Sequence, residues 1–438
     1  MLIQRATLLD GSKVDIRADD RILEVAEGLT PAAGEDVLDA AHGTVIPGLH
    51  DHHVHLHSAA AALTSVRVGP REVDGHEALR RVLAAAAVGE DGWIRAVGYH
   101  DAVAGPLDRH TLDEVSPAVP VRVQHRSGVL WTLNSAGLAR VGLADHGDGN
   151  LRSADPHWSD TLQRTEFGLA EVSRQLASYG VTGVTDATPD LGIDDVVKFA
   201  EAHQHGELLQ RVHCLAPGKR ILHDDGLDLG LLSEWIVGRH DDRAPVALHC
   251  VTAAQLVVTI AALRIAGARP GDRIEHAAVV PDDCVADLAE LGVIVATQPN
   301  FVAERGDQYL TDVPRDEHDQ LWRVASLLAA KIPVVMSTDL PFGEADPWAA
   351  MRAAVGRTTA SGAVLGAEER IPARTALTMF LGSAEHPTQT RTLSAGELAN
   401  MCVLAASPQE VLHELDASMV AATIIDGNVV YQLSSTSA

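Results

Sequence analysis

The sequence predicts an α/β fold, a (β/α)8 TIM-like barrel with a small β-sandwich domain formed by both termini. In the middle of the chain, short apolar runs alternate with helical segments, and eight such units make a parallel barrel. Both ends are instead rich in short strands and turn signals. Several central apolar runs also end on a residue that can bind a metal, which places those residues at the mouth of such a barrel.

Both terminal regions read as strands separated by turns. The predicted strands are residues 2–6, 13–16, 21–25, 401–404 and 421–425. After the last of these, Asp426-Gly427-Asn428 indicates a hairpin. We therefore expect a composite β-sandwich domain of residues 1–45 and 390–438, with a barrel of residues 46–389 between its two parts.

Strands of the middle region follow from runs of apolar and β-branched residues. They are predicted at residues 181–186, 210–214, 246–249, 274–276, 293–297 and 333–336. Helices are predicted between them, the clearest at residues 253–266 and 281–291. The strand that carries His53, together with one strand from residues 93–97 or 119–124, brings the expected total to eight.

Composition and charge exclude several classes of function. The 438 residues are 46% hydrophobic and 21% charged, which is typical of a globular protein. The net charge is -26, from 34 Lys+Arg against 60 Asp+Glu, and no basic run occurs. Such a surface repels phosphate backbones and anionic lipids, so we expect neither nucleic-acid nor membrane partners.

Targeting signals and cysteine usage favour a cytoplasmic protein. Charged residues occur too close to the start of the sequence for the apolar core of a secretory signal. No apolar stretch approaches the ~20 residues of a membrane span. The four cysteines are scattered without a Cys-x-x-Cys pair, which fits a reduced compartment.

A histidine-rich segment follows the Pro-Gly that ends an early apolar run. Side chains alternate along a strand, so Asp51, His53 and His55 share one face while His50 and His52 point the other way. Two neutral imidazoles at that spacing can hold one metal ion together. We expect Asp51 to orient a ligand histidine. The alternative is a solvated, histidine-rich turn.

Three further candidate ligands stand at later strand ends. His249 and His276 end successive strands, although a single histidine there is often only a hydrogen-bonded structural residue. Asp339 follows the last strand, where it can bind a metal and take a proton from metal-bound water. Its alternative role is a helix N-cap.

Lys219 is one of only four lysines and ends the run Ala216-Pro217-Gly218-Lys219, which we expect to close a strand. A buried neutral lysine amine can react with CO2 to form a carbamate that bridges two cations, which arginine cannot do. The alternatives are a substrate-binding or surface lysine. With the histidines and Asp339, this residue completes a plausible two-metal hydrolytic centre.

Short motifs along nearly the whole chain form a recognisable set. They are Pro47-Gly48-Leu49-His50-Asp51-His52-His53-Val54-His55, His249, Ile274-Glu275-His276-Ala277, Gln298-Pro299-Asn300 and Ser337-Thr338-Asp339-Leu340-Pro341. This set resembles the amidohydrolase superfamily, and most of all its amidohydrolase 3 (YtcJ-like) branch. The combination is specific to the superfamily and says little about the substrate.

The resemblance implies a (β/α)8 barrel with a small β-sandwich and a metal-dependent hydrolase. By matching positions, His53 and His55 would hold one metal, and His249 and His276 a second. Lys219 would bridge the metals as a carboxylated lysine. Asp339 would bind metal and act as the catalytic general base. Two departures stand out.

The first departure lies at residues 396–401, where the usual Gly-x-x-Ala-Asp-Leu is changed, and we expect it to be structural. The second is the loose match around Lys219, which leaves a single-metal site open. Substrate contacts are expected from loops at the barrel mouth, where a lid is predicted at residues 301–305. The candidates are Tyr99, His100, His125, Arg126, Phe301, Glu304 and Arg305.

The predicted function is therefore a metal-dependent hydrolase that cleaves an amide, formamide or cyclic-amide C–N bond of a small molecule by a metal-activated hydroxide. One or two divalent ions are expected, with zinc favoured. The first alternative is a lactonase or isomerase that uses the same metals. The second is a non-catalytic scaffold. The sequence leaves homo-oligomer formation open.

Overall fold

The structure of the protein is a computed structural model that describes residues 1–153, 158, 162, 168–189 and 191–433. It is a mixed α/β structure, as predicted, and its internal contacts divide the chain into two units. The first unit comprises Met1–Leu56 and Leu169–Ala438, and the second comprises His57–Gly168. Within the described ranges, no helix combines the length and the apolarity that a membrane crossing needs.

Strands from both ends of the chain join one sheet in the first unit. Thr44–Pro47 pairs antiparallel with Met401–Leu404, so the two ends meet directly. Across the sheet, the described strands are Asn428–Gln432, Val420–Ile425, Met401–Leu404, Thr44–Pro47, Leu2–Thr7, Lys13–Ala18 and Ile22–Ala26, with Val37–Asp39 beside Leu2–Thr7. The predicted terminal strands are confirmed. The sandwich, which needs two facing sheets, and the boundaries at residues 45 and 390 stay predictions.

Apolar side chains recur at every second position of these strands, which explains why the sheet has an apolar face. Met401 and Val403 are two residues apart and buried, and Ala422 and Ile424 repeat the spacing on the next strand. Side chains two residues apart lie on the same face of a strand. They pack with Ile3 in one core cluster, which holds the two chain ends together.

The remaining described strands of the first unit are parallel and form two ladders. One ladder is Arg211–Cys214, Val181–Asp186 and Leu49–Val54. The other is Lys219–Ile221, Ala247–Cys250, Arg273–His276, Ile294–Thr297 and Val334–Met336. A parallel bridge between Val54 and Leu340 connects the end of Leu49–Val54 to the segment after the last strand. Closure of both ladders into a barrel stays a prediction.

The expected eighth strand was assigned to the wrong place. Both alternatives, residues 93–97 and 119–124, correspond to strands of a separate sheet in the second unit. The additional parallel strand is Lys219–Ile221, which has only three residues and an arginine at its centre. Too few apolar positions alternate there for a sequence pattern to indicate a strand.

Helices connect most of the parallel strands. The predicted helix at residues 253–266 is confirmed as Ala253–Ala266, which Thr252 caps by accepting a hydrogen bond from Gln255 N. The described helices of this unit are Ala170–Ser178, Ile193–Gln204, Leu229–Asp241, Ala253–Ala266, Asp282–Leu291, Asn300–Asp312, Ala325–Ala329, Pro347–Gly356, Ala373–Thr378 and Pro408–Glu414, with single 3-10 turns at Asp224–Gly226, Arg315–Gln320, Ala367–Glu369 and Ala417–Met419.

The second unit has a sheet and apolar core of its own. In the described part of the chain, the sheet order is Asn150–Arg152, Leu130–Leu133, Val121–His125, Ile94–Tyr99 and Val66–Arg67. The helices are Leu56–Leu63, which begins at the boundary between the units, and His76–Ala84, Asp101–Ala104, Arg109–Val115 and Ser135–Arg140. Leu79, Ala96 and Val121 are among the buried residues of its core.

Candidate metal centre

Three side chains from distant segments of the first unit meet at the ends of its parallel strands. His53 Nε2 lies 3.5 Å and His55 Nε2 lies 3.4 Å from Asp339 Oδ1. All three ligand atoms fall within 4.8 Å of one another. Imidazole nitrogen and carboxylate oxygen are preferred ligands of zinc and similar ions. The structure therefore brings together three of the predicted metal ligands.

Backbone pairing explains why Asp339 meets the histidines. Asp339 N donates to His53 O over 3.0 Å, and His55 N donates to Leu340 O over 2.7 Å. Asp339 also has a φ of 59°, and His276 has a φ of 71°, a region that residues other than glycine seldom adopt. Such conformations cluster at functional sites, where the surrounding structure maintains them.

Unpartnered polar atoms show that these residues fit a divalent cation. His53 Nε2 and Asp339 Oδ1 are buried, and neither has a hydrogen-bond partner among the described residues. A buried polar atom without a partner costs free energy, so the few that occur need a physical explanation. A cation held between a nitrogen lone pair and a carboxylate oxygen would satisfy both atoms. The donor set is that of a metal site.

Neighbouring side chains fix the orientation of both imidazoles. His53 Nδ1 lies 2.5 Å from Glu275 Oε2, and His55 Nδ1 lies 3.2 Å from Thr188 Oγ1. Because each Nδ1 is engaged, each Nε2 is the nitrogen that faces Asp339. Burial, with a contribution from Lys219, holds the pKa of His53 well below its ordinary value, so the ring is neutral. A neutral ring has the lone pair that metal ligation requires.

Glu275 is a residue that the sequence reasoning quoted but did not assign. Arg273 donates to it from Nε over 2.7 Å and from Nη2 over 3.1 Å. Burial alone would raise the pKa of Glu275, but Arg273 and Lys219 together lower it, so the carboxylate is charged. A charged partner makes the imidazole of His53 a more basic ligand.

The two later histidines lie beside this cluster, as predicted. The ring centroids of His276 and His53 are 4.7 Å apart, and those of His276 and His249 are 4.5 Å apart. His276 Nδ1 lies 2.9 Å from Gln298 Oε1 and 4.0 Å from Asp339 Oδ2. Burial lowers the pKa of His249 to about 3, so this ring is neutral as well. The site therefore has four imidazoles close to one carboxylate, although ligation by the last two stays a prediction.

Lys219 is buried, but the expectation that it ends a strand is wrong. It opens Lys219–Ile221, because Gly218 N donates to Leu215 O in a turn directly before it. Nζ has no hydrogen-bond partner among the described residues. Burial lowers the pKa of Lys219 to about 8, against the opposing effect of Glu275 and Asp339. A surface role is excluded, and its carboxylation stays a prediction.

Asp51 stabilises the site in a different way from the one expected. Its carboxylate accepts hydrogen bonds from Thr338 Oγ1 over 2.6 Å, Thr338 N over 3.1 Å and His53 N over 3.3 Å. It therefore fixes the backbone on both sides of the site, and it holds the ligand His53 through the main-chain N–H and not through the ring. Burial raises the pKa of Asp51 to about 7.

Four of the predicted substrate-contact residues belong to the second unit, where they lie close together. Tyr99 and His125 pair across adjacent strands, and Arg126 N donates to Tyr99 O over 2.7 Å. The rings of His100 and His125 are 5.5 Å apart. Tyr99 Oη donates to Gly105 O over 2.5 Å. The role of these residues in substrate binding stays a prediction.

The other predicted contacts lie on Asn300–Asp312 in the first unit. Phe301 is only 2% exposed and packs against Trp322, with ring centroids 5.0 Å apart. The guanidinium of Arg305 lies 3.9 Å from the centroid of the Phe301 ring. The Glu304 carboxylate accepts a hydrogen bond from Asn300 Nδ2. A lid at this segment and substrate contact by these side chains stay predictions.

A family model and a curated relative both match most of the chain. The amidohydrolase family model matches residues 36–431. An N-substituted formamide deformylase of Arthrobacter pascens is 25% identical over 522 aligned positions, which cover 98% of this chain and 95% of the deformylase.

Two solved structures share the fold. An uncharacterized metal-dependent hydrolase from Pyrococcus horikoshii OT3 has a TM-score of 0.72 at 18% identity, covering 94% of this chain and 98% of the other. Another from Pyrococcus furiosus has a TM-score of 0.69 at 20% identity, covering 93% and 99%. Because the family match spans most of the sequence, the chain belongs to the amidohydrolase family.

Proposed function

We propose that this protein hydrolyses a C–N bond of a small amide, formamide or cyclic amide. The observation that carries the proposal is the convergence of His53 Nε2, His55 Nε2 and Asp339 Oδ1, two of them buried without a partner. The similarity to an N-substituted formamide deformylase supports the choice of a C–N bond and makes formamides the first substrates to test.

The residues would divide between two zinc ions. His53, His55 and Asp339 would hold one, and His249 and His276 the other. A bound divalent ion lowers the pKa of a coordinated water from about 15.7 toward ~7 and polarises the carbonyl under attack. The chain's own part is to hold the ligands in fixed orientations, which Glu275 and Thr188 do through the second nitrogen of each imidazole.

Asp339 is the proposed proton carrier. Its Oδ1 would hold the ion, so Oδ2, which lies 4.0 Å from His276 Nδ1, would accept a proton from the attacking water. The same oxygen then donates this proton to the leaving nitrogen, which departs as a neutral amine. Its backbone is held by His53 O and by the turn that follows, so the carboxylate is positioned before the substrate arrives.

We further propose that Lys219 carries a carbamate. The neutral amine attacks CO2, a C–N bond forms at Nζ, and one proton is released to solvent. The lowered pKa of about 8 favours the neutral amine, and burial protects the product from water. Protein prepared with 13C-labelled bicarbonate should give a carbamate carbon signal that is missing from Lys219→Met.

The protein would be cytoplasmic. Its parallel strands would close into the predicted barrel. The bridge between Val54 and Leu340 supports closure on one side. On the other side, Arg211–Cys214 and Lys219–Ile221 follow each other along the chain. An experimental structure that shows these two strands side by side would support a closed barrel, and one that separates them would leave two open sheets.

The decisive experiment combines metal analysis with turnover of Asp339→Asn. Purified protein should contain one or two zinc ions per chain and should release amine from N-substituted formamides. Asp339→Asn should keep metal but lose activity by about 10²–10⁴-fold, the usual contribution of an acid–base residue. Retained activity would exclude this proton carrier. Hydrolysis of lactones without amine release would favour the alternative chemistry.

A further inference from the structure

An aromatic ring borders the open side of the metal centre. Phe342 lies edge-on to His55, with ring centroids 5.2 Å apart and an angle of 74° between the planes. The His55 side chain is 13% exposed, whereas those of His53 and Asp339 are 0% and 8% exposed. His55 is therefore where the cluster opens, and the half-buried Phe342 stands next to that opening.

The backbone of Phe342 is tied to the residue that we propose as proton carrier. Phe342 N and Gly343 N both donate to Asp339 O, over 2.7 Å and 3.0 Å. Gly343 is packed so tightly that a Cβ atom there would lie 2.2 Å from Thr338 O. Shifting this turn would break both hydrogen bonds to Asp339 O, so the backbone of Phe342 is held beside the reacting groups.

A neighbouring helix holds the same turn from outside. Arg305 Nη2 donates to Phe342 O over 2.5 Å, and its guanidinium is stacked on Phe301. Asn300 Nδ2 donates to Thr338 O over 3.0 Å. The arginine that was expected to contact substrate is thus engaged in positioning the turn.

We propose that Phe342 is a specificity-determining residue that selects substrates with a flat, apolar group next to the scissile bond. The proposal rests on the hydrolytic function proposed above. An aromatic ring attracts a second ring through edge-to-face or offset contacts. A polar substrate group placed against it would lose its hydrogen bonds to water and gain none from the ring. Arg305 acts through Phe342 and is a positioning residue.

Ligand binding tests the proposal without turnover. Benzohydroxamate carries a flat apolar ring next to a group that binds metals, and acetohydroxamate carries only a methyl group. Affinities are measured by calorimetric titration of the zinc-loaded protein. Phe342→Ala should lower the affinity for benzohydroxamate by about tenfold and change the affinity for acetohydroxamate by less than about twofold. Phe342→Leu should lower the affinity for benzohydroxamate less than Phe342→Ala does. Equal changes for both ligands, or no change for either, would overturn the proposal.

Phe342→Leu keeps the proposal testable if Phe342→Ala does not fold, and the positioning role is tested by Arg305→Met. This variant removes the hydrogen bond to Phe342 O but leaves the ring, and it should lower the preference for benzohydroxamate in the same direction. Ile265→Ala, at a 65% exposed helix position, is the control and should change neither affinity. An unchanged preference in Arg305→Met would overturn its positioning role.

The two proposals fail in different ways. If the wild type shows the ring preference in binding but releases no amine from any C–N substrate, the proposed reaction is wrong and the role of Phe342 stands. If the wild type hydrolyses N-phenylmethyl and N-hydroxyethyl formamides and Phe342→Ala keeps the same ratio of kcat/KM between them, the selectivity proposal is wrong and the reaction stands.

Discussion

Glu275 Oε2 lies 2.5 Å from His53 Nδ1, although 222 positions separate the two residues in the chain. The contact connects a strand in the middle of one ladder with the strand that carries the first metal-binding motif. Arg273 neutralises part of the charge of the same carboxylate and also donates to His52 O over 2.8 Å. The metal centre therefore depends on an ion pair that contains no proposed ligand.

We predict that Glu275→Gln weakens metal binding by about 10–100-fold, because His53 loses a charged partner and Arg273 is left buried with less compensation. A competition titration with a chromophoric chelator measures the effect. Glu290→Gln is the matched control, because Glu290 lies on an exposed helix surface and pairs with Arg264. Unchanged zinc affinity in Glu275→Gln would show that the contact does not support the ligand.

Thr188 makes the equivalent contact with the second imidazole. Thr188→Val keeps the shape but removes the oxygen that lies 3.2 Å from His55 Nδ1, and we predict a loss of about tenfold in zinc affinity. Thr188→Ser should restore affinity, because the hydroxyl returns. Unchanged zinc affinity in Thr188→Val would show that the hydroxyl contact does not support the ligand.

Stability should depend on pH through Glu304. Burial raises the pKa of this carboxyl, the hydrogen bonds from Asn300 Nδ2 and Glu344 N and the charge of Arg305 lower it, and the net effect is an increase. The stabilising contribution of a group with a raised folded-state pKa is complete below its ordinary value near 4.5 and is lost as the pH rises through the folded-state pKa.

Glu304→Gln does not titrate and keeps an oxygen that can accept from Asn300 and Glu344. Its free energy of unfolding, relative to wild type, should therefore increase between about pH 4 and pH 8. Urea unfolding at both values measures this difference. A difference that does not change with pH would contradict the raised pKa.

Gly306 should not tolerate alanine, although alanine usually stabilises a helix by about 1 kcal/mol relative to glycine. A Cβ atom at this position would lie 2.5 Å from Thr359 Cγ2. We predict that Gly306→Ala lowers the free energy of unfolding by about 1–3 kcal/mol, as overpacking does. Thr359→Ser removes that methyl group and keeps the hydroxyl that bonds Asp307. In the Thr359→Ser background, urea unfolding should show a smaller cost; an equal cost would argue against the clash.

Much of the fold follows from local patterns. Ala253–Ala266 was predictable because a threonine cap, an apolar run and Gly267 mark both of its ends. His249 and His276 were predictable as neighbours because equivalent ends of adjacent parallel strands lie side by side.

What the sequence did not predict depends on pairing between distant segments. The pattern of Ile94–Tyr99 indicates a strand but does not say which sheet it joins, and it belongs to the second unit. The contact of Glu275 with His53 leaves no periodic signal. Lys219–Ile221 was missed because its three residues are too few to show alternation.

The pairing of Thr44–Pro47 with Met401–Leu404 has a consequence for biosynthesis. The early strand leads directly into the segment with His53, yet its partner strand is synthesised long after it. During translation its edge stays open to other chains, a situation in which chaperones commonly protect nascent proteins. The proposed metal site should therefore assemble only after Met401–Leu404 has been made and has covered this edge.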